Sequence, residues 1–474
     1  MRAEPDRQLF DLVKKYNRPG PRYTSYPPAP HFSADFGSED FRASLTGRRT
    51  GAAQKDADGP GQPSGLSVYV HLPFCRSLCY YCGCHMIVTG RPERIHEYLG
   101  YLEQEIDVVA AEMGEPDEVT QLHWGGGTPT YLSPEQIRGL MDHLGRRFDF
   151  APGAELSLEG DPRGLTIEHL QAARESGFNR LSLGVQDFDE RVQKAINREQ
   201  SIETVETATE AARRLGYHGI NYDLVYGLPH QTVDSFRKTL SEVLRLRPDR
   251  ISLFSYAHVP WKKKHQRVIL DEWLPSSEEK IRIFLDAQRA LTQEGGYRYI
   301  GMDHFALPGD PLVAALEAGT LQRNFQGYST HGGADLVGFG LSAISHVRNA
   351  YAQNILDLPG YYAALDQARL PTARGYRLTE DDKIREAVIS RLMCSLRLDV
   401  SVIESRFKID FWTYFADSLR ELRDMEADGL VEIEPDHLEV TEAGRLFIRN
   451  VAMAFDAYLD AGSANAAPRY SATV

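Results

Sequence analysis

The chain has little cysteine, no long apolar run and no excess of basic residues. Five cysteines in 474 residues are too few for a disulfide scaffold, which is typical of short secreted chains. No apolar run approaches the ~20 residues that a membrane-spanning helix needs, and residues 1–6 lack the features of a signal or transit peptide. The sequence therefore predicts a cytoplasmic protein that does not enter the membrane.

Acidic residues outnumber basic ones, 67 against 53, which gives a net charge of −14 and a pI of about 5.6. This balance argues against general nucleic-acid binding, which requires a basic surface. An anionic substrate would need a local basic patch within the acidic surface. The length and a hydrophobic content of 42% allow two or three domains, or one large α/β domain with appendages.

Four of the five cysteines lie within ten residues, in the run Cys75-Arg-Ser-Leu-Cys79-Tyr-Tyr-Cys82-Gly-Cys84. Three thiolates spaced C-x3-C-x2-C can hold three corners of a cubane iron–sulfur cluster and leave one iron with an open position. A structural zinc is the alternative, with Cys84 or His85 as fourth ligand, although such sites generally use two separated ligand pairs. The fifth cysteine lies alone in an apolar helical stretch and is predicted to be a core residue. The spacing favours the iron–sulfur cluster.

Strand and helix patterns alternate from residue 66 onward. Six strand–helix units in a row imply a parallel sheet with right-handed crossovers. Six units are fewer than a closed barrel needs, so we expect a partial barrel that strands at 297–301 and 336–339 extend. The predicted strands are 66–72, 121–124, 155–159, 180–184, 219–225 and 250–256, and the predicted helices are 96–113, 134–148, 167–176, 190–196, 202–215, 233–246 and 277–294.

The two ends of the chain differ from this middle part. Aromatic residues and prolines at 15–28 predict an extended arm that docks on the body of the protein, and 46–65 has the composition of a flexible linker. Near the other end, predicted helices at 380–396 and 414–428 precede a hairpin at 429–441 that turns at Pro435-Asp436, and a last helix follows at 442–458.

Helices followed by a hairpin predict a winged-helix-like module. Because this module is acidic, we expect it to pack over the barrel as a lid and not to bind DNA. The sequence thus divides into an arm and linker (1–65), a catalytic barrel (66–365) and a mostly helical C-terminal domain (366–474).

Unusual polar residues follow one predicted strand after another. Ligands of parallel α/β sheets bind beyond the carboxyl ends of the strands, so we expect these residues to line one pocket. A glycine run by itself indicates only a tight turn, and no Gly-Lys-Ser/Thr follows it as in a phosphate-binding loop. Carboxylates such as Glu159 and Asp223 could hold a ligand's ammonium or ribose hydroxyls. The segments concerned are the cysteine run, Gly125-Gly-Gly-Thr-Pro129, Glu159-Gly-Asp161, Gln186-Asp187, Asp223 and Ala257-His258.

The cysteine spacing after a strand, followed by Gly125-Gly-Gly-Thr-Pro129, resembles the radical S-adenosylmethionine (SAM) superfamily. Further motifs, spread over nearly the whole chain, resemble those of one family of this superfamily, the oxygen-independent coproporphyrinogen III oxidases. These motifs are Pro21-Arg-Tyr-Thr-Ser-Tyr-Pro27, Tyr69-Val-His-Leu-Pro-Phe-Cys75, Cys82-Gly-Cys84, Leu122-His-Trp-Gly-Gly-Gly-Thr-Pro-Thr130, Phe178-Asn-Arg-Leu-Ser-Leu-Gly-Val-Gln-Asp-Phe188, Asp223-Leu-Val-Tyr-Gly-Leu-Pro229, Asn324-Phe-Gln-Gly-Tyr328 and Gly444-Arg-Leu-Phe-Ile-Arg-Asn450.

The resemblance implies a partial (β/α)6 radical SAM barrel with extra strands. It implies oxidative decarboxylation of two propionates of coproporphyrinogen III to vinyl groups, giving protoporphyrinogen IX, through a 5′-deoxyadenosyl radical that forms from SAM. A [4Fe–4S] cluster with one open iron, two SAM molecules and a low-potential electron donor such as flavodoxin or ferredoxin would take part. The resemblance also implies a monomer.

The resemblance assigns roles to residues by their position in the motifs. Cys75, Cys79 and Cys82 would ligate the cluster, whereas Cys84 marks the oxidase without being expected to bind iron. The first SAM would contact Tyr69, Glu159 and Ile344, with Gly126 nearby, and the second would contact Tyr81, Gly127, Thr128, Gln186, Arg198, Asp223 and Ala257.

A substrate with four carboxylates requires local cations, preferably guanidinium groups. Candidates are Arg22 in the arm, the run Trp261-Lys-Lys-Lys-His-Gln-Arg267 and Arg323. The lysine run is equally consistent with a solvated loop. Arg22 is favoured as a catalytic-site residue because an arm closing over the pocket would exclude water from a radical.

Two alternatives remain open at this stage. One is a haem chaperone, since relatives with the same barrel and three cysteines deliver haem instead of decarboxylating a substrate. The other is a radical SAM enzyme that acts on haem itself, such as a ring-opening methyltransferase. The arm and Cys84 favour the oxidase, because the haem-delivering relatives typically lack both.

Overall fold

The computed structural model describes residues 3–46, 65–114, 118–459, 470–471 and 473. The predicted linker at 46–65 lies outside the described residues except at its two ends. In the described part, no helix combines the length and apolarity that crossing a membrane would require.

The order of the elements is strand–helix alternation flanked by helices at both ends. The strands are β1 (Leu66–Leu72), β2 (Phe74–Cys75), β3 (Ile87–Val88), β4 (Val119–Gly126), β5 (Phe150–Gly160), β6 (Arg180–Gln186), β7 (Gly219–Tyr226), β8 (Arg250–Ser255), β9 (Arg298–Gly301), β10 (His304–Ala306), β11 (Gln322–Asn324), β12 (Gly327–Ser329), β13 (Asp335–Phe339), β14 (Ile344–Val347), β15 (Ala350–Asn354), β16 (Thr372–Arg377), β17 (Arg397–Asp399), β18 (Val431–Ile433) and β19 (His437–Val440).

The helices occupy the connections between strands and the two ends of the chain. They are α1 (Ala3–Tyr16), α2 (Ser38–Thr46), α3 (Pro92–Met113), α4 (Pro134–Gly145), α5 (Ile167–Glu175), α6 (Glu190–Ala195), α7 (Ile202–Arg214), α8 (Val233–Leu246), α9 (Ser277–Arg289), α10 (Pro311–Glu317), α11 (Leu358–Asp366), α12 (Glu380–Ser395), α13 (Val400–Phe407), α14 (Phe411–Tyr414), α15 (Ala416–Ala427) and α16 (Ile448–Met453).

One large sheet organises the described residues. It has twelve strands in the order β16-β15-β14-β13-β1-β4-β5-β6-β7-β8-β10-β9. The run from β13 to β8 is parallel throughout, and the strands on both flanks are antiparallel. The six predicted units are confirmed as β1 and β4–β8, and the predicted extensions are β9 and β13. Within the described ranges the end strands β16 and β9 do not pair, so the barrel is open.

Local sequence explains why the strands and helices form where they do. Apolar side chains recur at alternate positions along the parallel strands and are buried, as in β1, where Leu66, Val68, Val70 and Leu72 are at most 1% exposed. Side chains of Ser, Thr and Asp cap the helices that return from the sheet. The capping residues are Ser133, Thr166, Asp189, Ser201, Thr232 and Thr379.

Two hydrophobic clusters hold the molecule together. The first lies between the large sheet and the helices that cover it. The second combines the helices and small sheet of the C-terminal part, β17-β19-β18, with apolar residues of the N-terminal arm. Tyr23 and Tyr26 of the arm belong to the second cluster, and Tyr26 is only 1% exposed. The arm is therefore docked by burial of its aromatic side chains.

The arm contains more helix than the sequence predicts. Lys15 and Tyr16 lie at the end of α1, and only 17–28 lacks a helix. Leu9, Leu12 and Tyr16 recur at helical spacing and pack against the second cluster. Burial of this apolar stripe stabilises the helix as far as Tyr16, and the chain becomes extended only at the prolines that follow.

The C-terminal part differs from the prediction in its last helix. The predicted hairpin is confirmed as β18 and β19, but the single helix predicted at 442–458 is wrong. A short 3-10 turn at Gly444–Phe447 precedes α16, which ends at Met453. Phe447, the last residue of this turn, has φ of −103° and ψ of 15°, and this departure from helical values separates α16 from the turn.

Candidate active site

The cysteine run forms a loop directly after β1, at the carboxyl end of the parallel strands. The short strands β2 and β3 pair at Phe74 with Ile87, so the two ends of the loop are held side by side. Cys79 is buried, Cys75 and Cys82 are half-buried, and Cys84 is exposed. The loop thus presents three partly covered thiols and one accessible thiol.

The glycine run after β4 packs against the first cysteine. The Cys75 sulfur lies 3.4 Å from the Thr128 hydroxyl. The Gly127 N–H donates to the Leu72 carbonyl oxygen of β1 and the Thr128 N–H to the Phe74 carbonyl oxygen of β2, both at 2.9 Å. A Cβ on Gly127 would lie 2.5 Å from the Pro73 backbone. Glycine is required here because the two loops approach so closely.

Two arginines surround the second cysteine. The Cys79 sulfur lies 3.6 Å from Arg198 Nη1 and 3.7 Å from Arg163 Nη2. Both guanidinium groups also contact Asp161 Oδ2, at 3.2 Å and 2.6 Å. The two guanidinium groups give this sulfur a cationic environment, which suits a ligand of an anionic cluster. Sequence reasoning missed Arg163, whose only signal is its place in the loop after β5.

The 261–267 run contacts the cysteine loop. Lys263 Nζ donates to the Cys84 carbonyl oxygen at 2.9 Å, and His265 Nε2 donates to the Cys82 carbonyl oxygen at 2.8 Å. Gln266, which is 1% exposed, donates to the Tyr81 carbonyl oxygen at 2.9 Å. These three residues form a clasp over the loop. The sequence predicts the same run to supply substrate-binding cations, a role that these contacts do not address.

The cysteine loop fits a cluster better than a single ion. Among the described residues, no group of three His, Cys, Asp or Glu side chains is arranged around one metal ion. Three cysteines of a cubane each bind a different iron, so their sulfurs need not converge on one point. The neighbouring Cys84 thiol lowers the pKa of Cys82 to about 7, and Arg163 and Arg198 add positive charge. Cys75, Cys79 and Cys82 therefore fit an anionic iron–sulfur cluster.

Tyr69, Glu159 and Ile344 lie on one side of the loop. Tyr69 faces Gly338 in the sheet register, and a Cβ on Gly338 would be 2.6 Å from the Ile344 carbonyl oxygen. Glu159 accepts a hydrogen bond from the Gly126 N–H at 3.3 Å and lies 3.2 Å from His123 Nε2. The structure brings these predicted residues together.

Gly126 has a conformation and a neighbour that only glycine tolerates. Its φ is +110°, and an added Cβ would lie 2.5 Å from the His71 ring. His71 Nε2 donates to the His85 carbonyl oxygen at 2.9 Å, so its Nδ1 accepts from the Tyr69 hydroxyl at 3.0 Å. Burial lowers the pKa of His71 to about 4, and the imidazole is neutral at physiological pH.

Gln186, Arg198 and Asp223 form a second group at the ends of β6 and β7. Arg198 Nη2 donates to the Gly184 carbonyl oxygen at 2.7 Å, and Gly184 faces Asp223 in the register. Gln186 has φ of +66°, which is uncommon for a residue with a side chain. Burial, together with the charge of Glu159, raises the pKa of Asp223 to about 6. The Asp223 carboxylate is therefore mostly ionised at neutral pH.

Ala257 connects this region to a cavity of about 420 Å³. Gln266 Nε2 donates both to the Tyr81 carbonyl oxygen and, at 3.3 Å, to that of Ala257. The arm, the ends of β7 and β8, α9 and the C-terminal part all supply cavity walls. The charged lining residues are Arg22, Lys280, Asp303, Arg445 and Arg449.

Arg22 lies in the cavity wall and forms an ion pair with Asp303. Burial, and then the charges of Arg323 and Arg449, lower the pKa of Arg22 to about 9. Arg323 Nε donates to the Arg22 carbonyl oxygen at 3.4 Å. Arg22 and Arg323 are thus close together, whereas no contact described here joins Arg22 to the cysteine loop.

Sequence reasoning missed several polar groups around the cavity. Lys280 lies on a helix and carries no motif, and Asp303 lies in a tight turn between β9 and β10. Arg445 and Arg449 belong to a quoted motif without having been singled out. Buried polar atoms of His304, Arg323 and Gln326 lack a hydrogen-bond partner among the described residues, although these residues do not line the cavity.

Comparison with known proteins identifies the family of the chain. The profile of the Radical SAM superfamily matches residues 69–243, and that of the HemN C-terminal domain matches residues 378–447. The chain is 48% identical over 448 residues to the oxygen-independent coproporphyrinogen III oxidase of Escherichia coli K12, covering 94% of this chain and 95% of the relative. It is 46% identical to the Pseudomonas aeruginosa protein of the same name, covering 95% of each.

A solved structure extends the similarity to the fold. Coproporphyrinogen III oxidase (HemN) from Escherichia coli, described as a radical SAM enzyme, superposes with a TM-score of 0.87 at 45% identity, covering 95% of this chain and 99% of that one. A [4Fe–4S] cluster and SAM are the cofactors that define radical SAM proteins. With the cysteine loop and the similarity along nearly its whole length, the chain belongs to the oxygen-independent coproporphyrinogen III oxidase family of radical SAM enzymes.

Proposed function

We propose that this protein catalyses the oxygen-independent oxidative decarboxylation of two propionates of coproporphyrinogen III to vinyl groups, giving protoporphyrinogen IX. The observation that carries the proposal is that Gln266 joins the cysteine loop to a cavity lined by four cationic side chains. In a chain of net charge −14, such a cavity suits a substrate with four carboxylates. The names of the relatives support the same reaction.

The N-terminal arm supports the oxidase over a haem chaperone. Pro19 and Arg22 of the arm line the cavity, so the arm covers the place where we expect the substrate. Arg22 would bind a propionate, and the arm would keep water from the reacting carbon. The accessible Cys84 is proposed as a further catalytic group that does not bind iron.

Cys75, Cys79 and Cys82 are proposed as the ligands of the [4Fe–4S] cluster. When bound, the cluster and SAM supply a 5′-deoxyadenosyl radical that removes a hydrogen atom from the propionate β-carbon. Arg163 and Arg198 hold the Cys79 sulfur in a cationic environment, and Thr128 contacts the Cys75 sulfur. These side chains surround the sulfurs with hydrogen-bond donors, which suits the ligands of an anionic cluster.

Two SAM molecules are proposed, one for each group of residues at the strand ends. Tyr69, Glu159 and Ile344, with Gly126, would bind the first. The second would contact residues in the cysteine loop and at or after the ends of β4, β6, β7 and β8. This set comprises Tyr81, Gly127, Thr128, Gln186, Arg198, Asp223 and Ala257.

The remaining proposals concern the setting of the enzyme. A low-potential donor such as flavodoxin or ferredoxin would reduce the cluster of a monomeric enzyme in the cytoplasm, where thiols stay reduced. The proposed parts are the arm and linker (1–65), the catalytic barrel (66–365) and the C-terminal domain (366–474). The second hydrophobic cluster, drawn largely from residues after 380, supports the last of these.

The test is an anaerobic assay with the reconstituted protein, SAM, a strong reductant and coproporphyrinogen III. We expect vinyl products, carbon dioxide and 5′-deoxyadenosine to appear together, and Cys79→Ala to abolish all three along with the iron content. An intact cluster without decarboxylated product would contradict the proposal and make haem binding the next measurement.

A further inference from the structure

The cavity beside the cysteine loop carries an unusual balance of charge. Its lining includes four cationic side chains and a single carboxylate, that of Asp303. Six aromatic side chains share the lining and offer flat apolar faces. They are Tyr226, Tyr256, Trp261, Phe284, Tyr299 and Tyr470. Such a chamber is suited to a molecule with apolar rings that carries several negative charges.

Three of the four cations are engaged by the protein itself. Arg22 pairs with Asp303, and Arg445 contacts Glu442 at 3.1 Å. Arg449 donates to the carbonyl oxygens of arm and C-terminal residues, among them that of Pro21 at 2.9 Å. These contacts fix the walls of the cavity.

Lys280 is held differently. Its Nζ donates to the Tyr256 carbonyl oxygen at 3.0 Å and lies 5.8 Å from the centre of the Tyr226 ring. Within the described ranges it forms no salt bridge, since no carboxylate oxygen lies within 4.0 Å. An ammonium group has three donors, so a single carbonyl leaves capacity for a ligand anion.

The surroundings of Lys280 are positive. Burial, and then the charges of Arg22 and Arg449, lower the pKa of Lys280 to about 8. Gathering like charges in a buried place is costly unless an anion neutralises them. Gly227 makes room for this side chain, because its φ is +84° and an added Cβ would lie 2.8 Å from Lys280 Cε.

We propose that Lys280 binds a carboxylate of the tetrapyrrole substrate and that the cavity selects polycarboxylates over molecules with fewer carboxylates. This inference rests on the proposed function, and it adds an anchor on the barrel side to the one that Arg22 would supply from the arm. With Lys280 on a barrel helix and Arg22 on the arm, two carboxylates of one molecule can be held at once, which orients the ring.

Binding of oxidised porphyrins tests this without turnover. Coproporphyrin III carries four propionates and protoporphyrin IX two, and both can be titrated by fluorescence against the reconstituted protein. Lys280→Met is expected to weaken coproporphyrin III binding about tenfold, the usual effect of losing one charge-assisted hydrogen bond, and to reduce its preference over protoporphyrin IX. Lys280→Arg should restore most of both.

Controls separate this inference from folding and from the proposed function. Lys238→Met, at an exposed lysine of α8 outside the cavity, should bind coproporphyrin III like the parent. Unchanged affinity and preference in folded, iron-loaded Lys280→Met and Lys280→Gln would overturn the inference. A parent protein that binds coproporphyrin III through Lys280 but forms no vinyl product would overturn the proposed function instead.

Discussion

At the scale of single residues, the space around a glycine determines whether a larger residue can replace it. Gly126 and Gly139 show the contrast. A Cβ on Gly126 would collide with the His71 ring in a backbone conformation that favours glycine, whereas a Cβ on Gly139 of α4 meets nothing within 4 Å. The same substitution should therefore have opposite effects at the two positions.

We expect Gly126→Ala to lower the free energy of unfolding by more than about 1 kcal/mol, because the added methyl group strains the backbone and displaces His71. Gly139→Ala should raise it by roughly 0.5–1 kcal/mol, the helix-propensity difference. Urea denaturation of the two apoproteins and the parent measures both changes. A Gly126→Ala protein as stable as the parent would contradict the close contact with His71.

A second residue-scale prediction concerns a carboxylate far from the cysteines. Glu105 is 1% exposed and accepts hydrogen bonds from Gly340 N–H at 2.7 Å, Asn354 Nδ2 at 2.6 Å and the Tyr361 hydroxyl. Burial raises the pKa of Glu105 from 4.5 to about 7. The folded protein therefore holds this proton more tightly than the unfolded chain does.

The sign of the pH effect follows from that difference. Between pH 4.5 and 7 the folded state binds more protons at Glu105, so this group's contribution to stability falls as pH rises. We expect the parent to lose up to about 3 kcal/mol relative to Glu105→Gln between pH 5 and 8. Parallel urea denaturation across this range measures it, and a pH-independent difference would contradict the assignment.

At the scale of elements, loops at the strand ends position the cysteine loop. The clasp of Lys263, His265 and Gln266 donates to three carbonyls of that loop, and Gln266 also accepts from the Val259 N–H at 2.7 Å. Gln266 is the buried member. The hydrogen bonds of Gln266 join two loops that are far apart in sequence. We therefore expect the clasp to position the cluster and not to contact substrate.

Gln266→Met should loosen the cysteine loop, since it leaves buried backbone groups unpaired, at a cost of about 1–3 kcal/mol. We expect lower iron retention after gel filtration and an altered EPR spectrum of the reduced cluster. The matched control is Arg267→Met at the exposed neighbouring position, which should retain iron like the parent. Equal iron content and identical spectra in both variants would show that the clasp does not position the cluster.

At the scale of the whole molecule, the two ends of the chain close the cavity together. Arg449, which is 5% exposed, donates to the carbonyl oxygens of Gly20, Pro21 and Thr473. Tyr23 donates to Asp456 at 2.9 Å and reinforces the same contact. One side chain of the C-terminal part thus holds the arm that carries Arg22.

Arg449→Met is expected to release the arm while leaving the barrel intact. Limited proteolysis should then cut within the first 30 residues several-fold faster than in the parent. If the arm excludes water from the radical, the ratio of 5′-deoxyadenosine to vinyl product should also rise. Arg420→Met, at an arginine with 77% side-chain exposure, is the control; equal proteolysis of all three proteins would contradict this role of Arg449.

Local sequence accounts for much of the fold and part of the site. The parallel strands could be predicted because apolar residues recur at alternate positions along them, and α8 follows from its cap at Thr232 and its apolar spacing. The cysteine run and the glycine run could be recognised because spacing within one loop limits what its side chains can hold. The helix predicted at 442–458 was wrong because the backbone leaves helical values at Phe447, a break that helical periodicity does not predict.

By itself the sequence determined the alternating strands and helices, the three-cysteine loop and the family resemblance, since these depend on neighbours in the chain. Only the tertiary structure decided that Arg163 and Arg198 meet at Cys79, that the 261–267 run clasps the cysteine loop, and that Lys280 faces a cavity closed by both chain ends. These contacts join residues separated by tens to hundreds of positions. These contacts form because burial of the two hydrophobic clusters brings distant segments together. A local sequence pattern does not predict which segments will meet.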